Sequence, residues 1–165
     1  MIPFLSLKDV TALHGVEINE AVTRVVNNGW YLQGKENERF EENYSKFIGT
    51  KYTIGCANGL DALIWIFRAY IELGVMQPGD EVIVSPITFA ASANCVLYCG
   101  ATPVFADINP LTYNIDPACI EKKITEKTKA IVAVDFTGQA VELDAIREIC
   151  KKHNLVLIED GAHSI

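Results

Sequence analysis

Residues 154–163 read Asn-Leu-Val-Leu-Ile-Glu-Asp-Gly-Ala-His, and this stretch decides how the fold is interpreted. The aliphatic run Leu155–Ile158 is short and bounded by polar residues, which is typical of a strand buried on both faces in a parallel sheet. Asp160 and His163 would then emerge at the carboxyl end of that strand, where open α/β sheets bind their ligands. The alternative is an ordinary turn with a capping aspartate and a surface histidine.

The composition excludes several classes of protein. The chain has 165 residues, of which 50% are hydrophobic and 21% charged, as expected for one globular domain. A net charge of −7 and a pI near 4.9 argue against the basic face that nucleic-acid binding requires. We find neither a membrane-spanning apolar run nor a signal-peptide pattern. Five cysteines without a C-x-x-C pair favour reduced thiols, and hence a cytoplasmic location.

Upstream of the last strand, apolar patterns typical of strands alternate with apolar patterns typical of helices. They predict strands at 52–56, 82–84, 102–107 and 130–134, and helices at 60–73, 90–99, 116–124 and around Leu143–Cys150. The helix at 60–73 is apolar nearly all round, so we expect it to be buried. Alternating strands and helices predict an α/β fold with a mostly parallel sheet sandwiched by helices, over residues 51–165. Two amphipathic helices, at 17–27 and around Phe40–Ile48, predict an N-terminal helical arm over residues 1–50.

A parallel sheet would collect the chemically useful residues at one edge. These residues follow the predicted strands at Asn58-Gly59-Leu60, Thr88-Phe89, Asp107, Asp135 to Gly138 and Asp160 to His163. The first group opens a helix, where free amides and the helix dipole bind phosphate, although an ordinary Asn-Gly turn fits those residues better when they are taken alone. Phe89 can stack on a flat ring or simply pack in the core.

The carboxylate and the histidine after the last strand have specific possible uses. Asp160 can hold a protonated ring nitrogen, because a carboxylate stabilises a neighbouring cation when water is scarce. His163 can donate a hydrogen bond to a ring oxygen. A metal site is disfavoured, because neither this pair nor the thiols Cys95 and Cys99 have a third ligand at suitable spacing. We expect those two thiols to be buried in the core.

A phosphate cradle, an aromatic plate and a carboxylate at a strand end suit pyridoxal 5'-phosphate, and the chain resembles the DegT/DnrJ-type nucleotide-sugar aminotransferases. These are fold-type I enzymes dependent on that cofactor, and the resemblance is to the N-terminal part of their large domain. It rests on motifs in a fixed order, at Ile2-Pro3-Phe4-Leu5, Gly29-Trp30-Tyr31-Leu32-Gln33-Gly34, Phe40-Glu41, Ala57 to Leu63, Pro78 to Val84, Thr88-Phe89, Thr102 to Asp107, Asn114 to Pro117 and Ile158 to His163.

The resemblance implies a role for each candidate residue. Asn58, Gly59 and Leu60 would hold the cofactor phosphate, and Phe89 would stack on the pyridine ring. Asp160 would pair with the ring nitrogen, and His163 would lie beside the ring hydroxyl, where the family more often has Gln. The substrate-binding residues would come from the loop after the first amphipathic helix, at Trp30, Tyr31, Gln33 and Gly34. From its residues alone that loop can equally be a packing element.

The implied activity is transfer of an amino group from glutamate to a 3- or 4-keto-6-deoxy sugar linked to dTDP or UDP. The head of the chain is similar to enzymes that make 3-amino sugars on dTDP, and the middle to enzymes that aminate 4-keto sugars on UDP. The family acts as a cytoplasmic homodimer in deoxyamino-sugar and lipopolysaccharide biosynthesis. By the resemblance, we expect no nucleic-acid or membrane partner.

The resemblance also concerns what the chain lacks. The Schiff-base lysine of the family is expected beyond Ile165, so no catalytic residue is assigned here and the 165-residue chain is expected to be inactive in transamination. Two alternatives stay open. One is a related keto-sugar dehydratase, in which a histidine replaces that lysine and the cofactor is bound non-covalently. The other is a non-catalytic fragment or interaction module.

Overall fold

The computed structural model describes residues 4–164, so the motif residues Ile2 and Pro3 lie outside the described residues. The chain divides into two compact units, one up to Gly55 and one from Cys56 onward. Each is described by itself. Among residues 4–164, no helix combines the length and the apolar character needed to cross a membrane.

From residue 4 onward, the first unit contains three helices, α1 (Leu7–Ala12), α2 (Gly15–Asn28) and α3 (Lys35–Ile48). Both amphipathic helices predicted from the sequence are present. Each ends at a glycine in the left-handed conformation, Gly29 after α2 and Gly49 after α3, as is common at helix C-termini. The short helix α1 was not predicted, although Ser6 caps it by accepting a hydrogen bond from the Asp9 amide.

The strand predicted at 52–56 is wrong. This segment has no regular secondary structure, and its polar groups bond to α3 instead of to a neighbouring strand. The Gly55 amide donates to Glu41 Oε1 at 2.7 Å, and Ser45 Oγ donates to Thr53 Oγ1 at 2.8 Å. An alternating pattern of residues does not make a strand unless another strand accepts its backbone hydrogen bonds.

The second unit is an α/β structure with a parallel sheet, as predicted. Its elements in chain order are α4 (Gly59–Glu72), β1 (Glu81–Val84), α5 (Ala91–Tyr98), β2 (Thr102–Phe105), α6 (Pro117–Glu121), β3 (Thr128–Val134), α7 (Leu143–His153) and β4 (Val156–Asp160). Within the part of this unit that the structure describes, four strands are ordered β2-β1-β3-β4 and pair in parallel. The Asp116-Pro117 start of α6 is confirmed, with the Asp116 side chain accepting from the Ala118 amide, but α6 ends at Glu121.

Two layers of helices cover the two faces of the sheet. Val82 and Val84 of β1 pack in one cluster with α4 and α5, whereas Ile83 belongs to a second cluster with α6 and α7. All three side chains are fully buried, and each contributes about 1.5–3 kcal/mol of burial free energy. Burial on both faces explains why these strands read as continuous apolar runs.

Helix α4 is less buried than its sequence predicts. Leu63 and Phe67 face the core, but Trp65 is 64% exposed. The prediction of burial all round is therefore wrong, because among the described residues only one face of α4 packs on the sheet layer. Cys95 and Cys99 are buried, as predicted, and burial raises the pKa of the Cys95 thiol to about 12.

The topology brings two helix N-termini to the carboxyl edge of the sheet. Helix α4 ends before the start of β1, at the amino ends of the strands, so its first residues lie at the carboxyl edge. Helix α5 begins after the carboxyl end of β1. The ends of β3 and β4 meet at the same edge, because Val134 pairs with Asp160.

Candidate functional site

Asp160 is the last residue of β4, and its carboxylate is held by two hydrogen bonds. Its Oδ2 accepts from Ser92 Oγ at 2.8 Å, and its Oδ1 accepts from the Ala162 amide at 3.2 Å. The side chain is half-buried. Each carboxylate oxygen keeps a free lone pair, so Asp160 can accept a further hydrogen bond from a cationic ligand group.

Ser92 lies in the first turn of α5 and is fully buried. Its hydroxyl is 2.8 Å from Thr88 Oγ1, and its amide donates to the Phe89 carbonyl at 3.2 Å. Phe89 itself is 79% exposed, so its ring is not part of the core. The core-packing alternative for Phe89 is therefore wrong within the described residues, and its ring face is free for a ligand.

The turn that follows Asp160 is bound to the loop after β3. Asp135 is buried and accepts twice, with Oδ1 from the Val141 amide at 3.0 Å and with Oδ2 from Ser164 Oγ at 2.8 Å. The Thr137 amide donates to His163 Nδ1 at 3.2 Å. These bonds fix the position of His163 although its ring is exposed.

The hydrogen bond to His163 Nδ1 also fixes its tautomer. Because Nδ1 accepts the Thr137 N–H, the proton of the neutral imidazole lies on Nε2. The ring of Phe136 lies 6.1 Å from the imidazole, centroid to centroid, at an angle of 56°. His163 therefore presents an N–H donor on its outer side.

The N-terminus of α4 has unused donors. Asn58 caps the helix, with its Oδ1 accepting from the Asp61 amide at 2.9 Å. The amides of Gly59 and Leu60 donate to no acceptor within the described residues. Space is open around Gly59, since an added Cβ would meet nothing within 4 Å. Such a helix start favours an anion.

Glu159, the residue before Asp160 in β4, is exposed but partly desolvated, and this desolvation raises its pKa. The negative charge of Asp135 raises the pKa further, and Arg147 acts in the opposite direction. Its neighbour Asp160 points to the α4–α5 side, where it meets Ser92.

The predicted substrate loop lies in the first unit. Trp30 and Tyr31 are about two-thirds exposed, at 69% and 67%, and Trp30 Nε1 donates to the Leu32 carbonyl at 2.7 Å. Gln33 has a φ of 49°, and Gly34 caps α3 beside the Trp30 ring. The loop has a defined shape and presents aromatic surface.

Within the second unit, the structure brings Thr88, Asp160 and His163 into one hydrogen-bonded edge. The sequence did not identify Ser92, which links two of these segments, or the structural role of Asp135.

The sequence of the chain matches known proteins. The model of the DegT/DnrJ/EryC1/StrS aminotransferase family matches residues 13–165. The chain is 47% identical over 164 residues to the dTDP-3-amino-3,6-dideoxy-alpha-D-galactopyranose transaminase of Aneurinibacillus thermoaerophilus, covering 99% of this chain and 44% of that protein. It is 44% identical over 164 residues to the UDP-2-acetamido-2-deoxy-3-oxo-D-glucuronate aminotransferase of Pseudomonas aeruginosa, covering 99% and 45%.

The fold agrees with a solved structure. DesV of S. venezuelae, crystallised in complex with a ketimine intermediate, superposes with a TM-score of 0.91 at 37% identity, over 99% of this chain and 43% of that chain. The chain thus spans less than half the length of the relatives that it matches. The family depends on pyridoxal 5'-phosphate. On the evidence of the family match and of these relatives, the chain belongs to the DegT/DnrJ/EryC1/StrS aminotransferase family.

Proposed function

We propose that this chain forms the cofactor-binding part of an enzyme that transfers an amino group from glutamate to a keto-sugar carried on a nucleotide. The observation that carries the proposal is the carboxylate of Asp160, which is held at the end of β4 with lone pairs free and lies between Ser92 and the His163 turn. A strand-end carboxylate in this position suits a protonated pyridine nitrogen.

The residues at this edge fit pyridoxal 5'-phosphate. The free amides of Gly59 and Leu60, with Asn58 capping the same turn, suit its phosphate. The exposed ring of Phe89 suits the pyridine face. The Nε2–H of His163 suits the ring hydroxyl, since Nδ1 is already bonded to the Thr137 amide.

When bound, the cofactor supplies an electron sink for chemistry at the carbon next to the amino group. The chain sets the conditions for that chemistry. Asp160 keeps the ring nitrogen protonated, which is the state in which the ring withdraws electrons. His163 orients the ring through its hydroxyl, and Phe89 covers one face and excludes water from it.

We extend the proposal to the substrate from two relatives, whose names specify a dTDP-linked 3-amino-3,6-dideoxy sugar and a UDP-linked 3-oxo sugar. The substrate is a 3- or 4-keto sugar nucleotide, in our proposal a 6-deoxy sugar of deoxyamino-sugar or lipopolysaccharide biosynthesis. The loop with Trp30, Tyr31, Gln33 and Gly34 contacts the sugar. The complete enzyme uses glutamate as amino donor and acts as a cytoplasmic homodimer.

Binding of pyridoxamine 5'-phosphate to the full chain tests the cofactor site, because this form of the cofactor needs no lysine to attach to. We expect saturable binding, followed by fluorescence of the ligand. Asp160→Asn should weaken it about tenfold, because one charge-assisted hydrogen bond is lost. Asp144→Asn changes a fully exposed carboxylate on α7 and is the matched control. Equal affinity of the two variants would count against the proposal.

A further inference from the structure

A relay of two hydroxyl groups, one fully buried and one half-buried, is hydrogen-bonded to the Asp160 carboxylate. Ser92 Oγ lies 2.8 Å from Asp160 Oδ2 and 2.8 Å from Thr88 Oγ1. Ser92 is fully buried, so water does not compete for its hydroxyl. The bond to Asp160 joins residues 68 positions apart in the chain, on α5 and β4.

The direction of the relay follows from counting protons. A carboxylate only accepts, so Ser92 must donate its single hydroxyl proton to Asp160. The Ser92 oxygen then accepts, and Thr88 is left as the donor between the two hydroxyls. The other acceptor near the Ser92 hydroxyl, the Phe89 carbonyl, is more distant at 3.4 Å. The order is Thr88 to Ser92 to Asp160.

The arrangement fixes the carboxylate at both oxygens. The Ala162 amide holds Oδ1 and Ser92 holds Oδ2, so the carboxyl plane cannot rotate freely. The same serine accepts from Thr88, the neighbour of Phe89 in the chain, and its amide donates to the Phe89 carbonyl. One buried residue therefore sets the position of the carboxylate and of the segment that carries the exposed ring.

We propose that Ser92, supported by Thr88, is a positioning residue that holds the Asp160 carboxylate in the orientation required by the cofactor ring nitrogen. This inference rests on the proposed function and deepens it. Ser92 does not touch the ring, and its effect passes through Asp160. Packing alone would be satisfied by alanine, which fills nearly the same space and buries no hydroxyl that needs a hydrogen-bond partner.

The test is the protonation of the ring nitrogen in the full chain loaded with pyridoxamine 5'-phosphate labelled with ¹⁵N in the ring. The ¹⁵N chemical shift, followed against pH, gives the pKa of the bound ring nitrogen. Removal of the donor in Ser92→Ala should lower that pKa by about one unit and weaken binding about tenfold, because Asp160 loses its fixed orientation. Thr88→Val, which keeps the shape but removes the first donor, should change both in the same direction by a smaller amount.

Two further variants separate positioning from stability. Val96→Ala removes a fully buried side chain from the same helix without touching Asp160, so it should lower the free energy of unfolding and leave the ring pKa unchanged. Ser92→Thr retains the hydroxyl and should restore the ring pKa towards the wild-type value.

The outcomes are distinct. A wild-type ring pKa in Ser92→Ala, or an equal shift in Val96→Ala, would overturn the relay. In either case, binding that still depends on Asp160 would leave the proposed cofactor site intact. Absence of binding by the wild-type chain would overturn the proposed function, and the relay with it.

Discussion

Gly138 lies where the loop after β3 meets the turn that carries His163. Its φ is +83°, in the left-handed region that L-residues rarely adopt, and a Cβ at this position would lie 2.9 Å from the His163 carbonyl oxygen. Glycine is therefore required here twice, for the backbone conformation and for the close approach of the turn that carries His163.

Replacement of Gly138 by alanine should be more costly than replacement of a glycine with only the conformational requirement. We expect Gly138→Ala to lower the free energy of unfolding by about 2–3 kcal/mol, because left-handed strain and the contact add. Gly79→Ala is the matched control, since Gly79 has a φ of +91° and open space, and should cost about 1 kcal/mol. Urea titration measures both, and equal losses would exclude the steric contribution.

Glu159 gives a pH-dependent prediction at the same edge. Its folded-state pKa is raised above the ordinary value near 4.5, so the unfolded chain loses this proton more readily. The contribution of Glu159 to stability is fully present below its ordinary pKa and is lost as the pH rises through the raised pKa of the folded state. Glu159→Gln should thus be more stable than the wild type at pH 7, with the difference vanishing near pH 4.

Urea midpoints between pH 4 and pH 8 measure this difference. Glu148→Gln is the control, because Glu148 lies on the exposed face of α7 and pairs with Lys151. A stability difference for Glu159→Gln that does not change with pH would contradict the assignment.

At the scale of elements, helix α4 has two roles. Its first turn forms the proposed phosphate site, and its later residues pack in the core. Asn58 satisfies the Asp61 amide through Oδ1, and its Nδ2 donates to Asp61 Oδ2 at 2.9 Å. The capped first turn keeps the Gly59 and Leu60 amides oriented outward. Stability of the helix and geometry of the site therefore depend on the same side chain.

Asn58→Ala should lower the free energy of unfolding of the ligand-free chain by about 1 kcal/mol, the usual cost of a lost N-cap. Asn58→Ser retains a capping oxygen and should stay within a few tenths of a kcal/mol of the wild type. Thermal unfolding followed by circular dichroism is sufficient. Equal destabilisation by alanine and serine would show that the cap does not stabilise α4.

For the whole second unit, the lysines lie on the side of the sheet away from the candidate cofactor residues. Its lysines lie at or near the amino ends of the strands. Lys127 and Lys129 flank the start of β3, and Lys151 and Lys152 lie at the end of α7, before β4. The lysines at 122–123 follow α6. The Lys127 carbonyl accepts from the first residue of β1, which fixes its place at that edge. The candidate cofactor residues lie at the opposite edge.

Covalent capture of the cofactor tests this division. Borohydride reduction of the chain with pyridoxal 5'-phosphate should modify none of the six lysines of the second unit stoichiometrically, because no amine of this unit reaches the ring site. Peptide mass spectrometry identifies any modified residue. Stoichiometric labelling of a single one of these lysines would contradict the arrangement of the two edges.

The sequence predicts most of this fold because its strongest patterns are local. Strands β1 to β4 and helices α2 to α7 follow from apolar periods and from caps such as Asp116-Pro117. The segment 52–56 was mispredicted, because the partner of a strand is not a local property. Helix α1 was missed because six residues hold too few apolar positions to define a period.

The candidate site divides in the same way. Asp160, Phe89 and Asn58 follow strands or open helices, so the sequence alone suggested them, and their roles toward a cofactor stay predictions. Ser92 could not be found in this manner, because its decisive bond crosses 68 residues. The tautomer of His163 likewise depends on Thr137, which only the folded loop brings to it.

The position of β1 inside the sheet has a consequence for how the chain acquires its structure during synthesis. Both neighbours of β1, which are β2 and β3, come later in the chain, and β3 ends 50 residues after Val84. At about 5–20 residues per second, the ribosome needs several seconds to deliver them. Until β3 has been made, Val82, Ile83 and Val84 lack at least one of their two partner strands, so this is the interval in which a molecular chaperone would have most to protect.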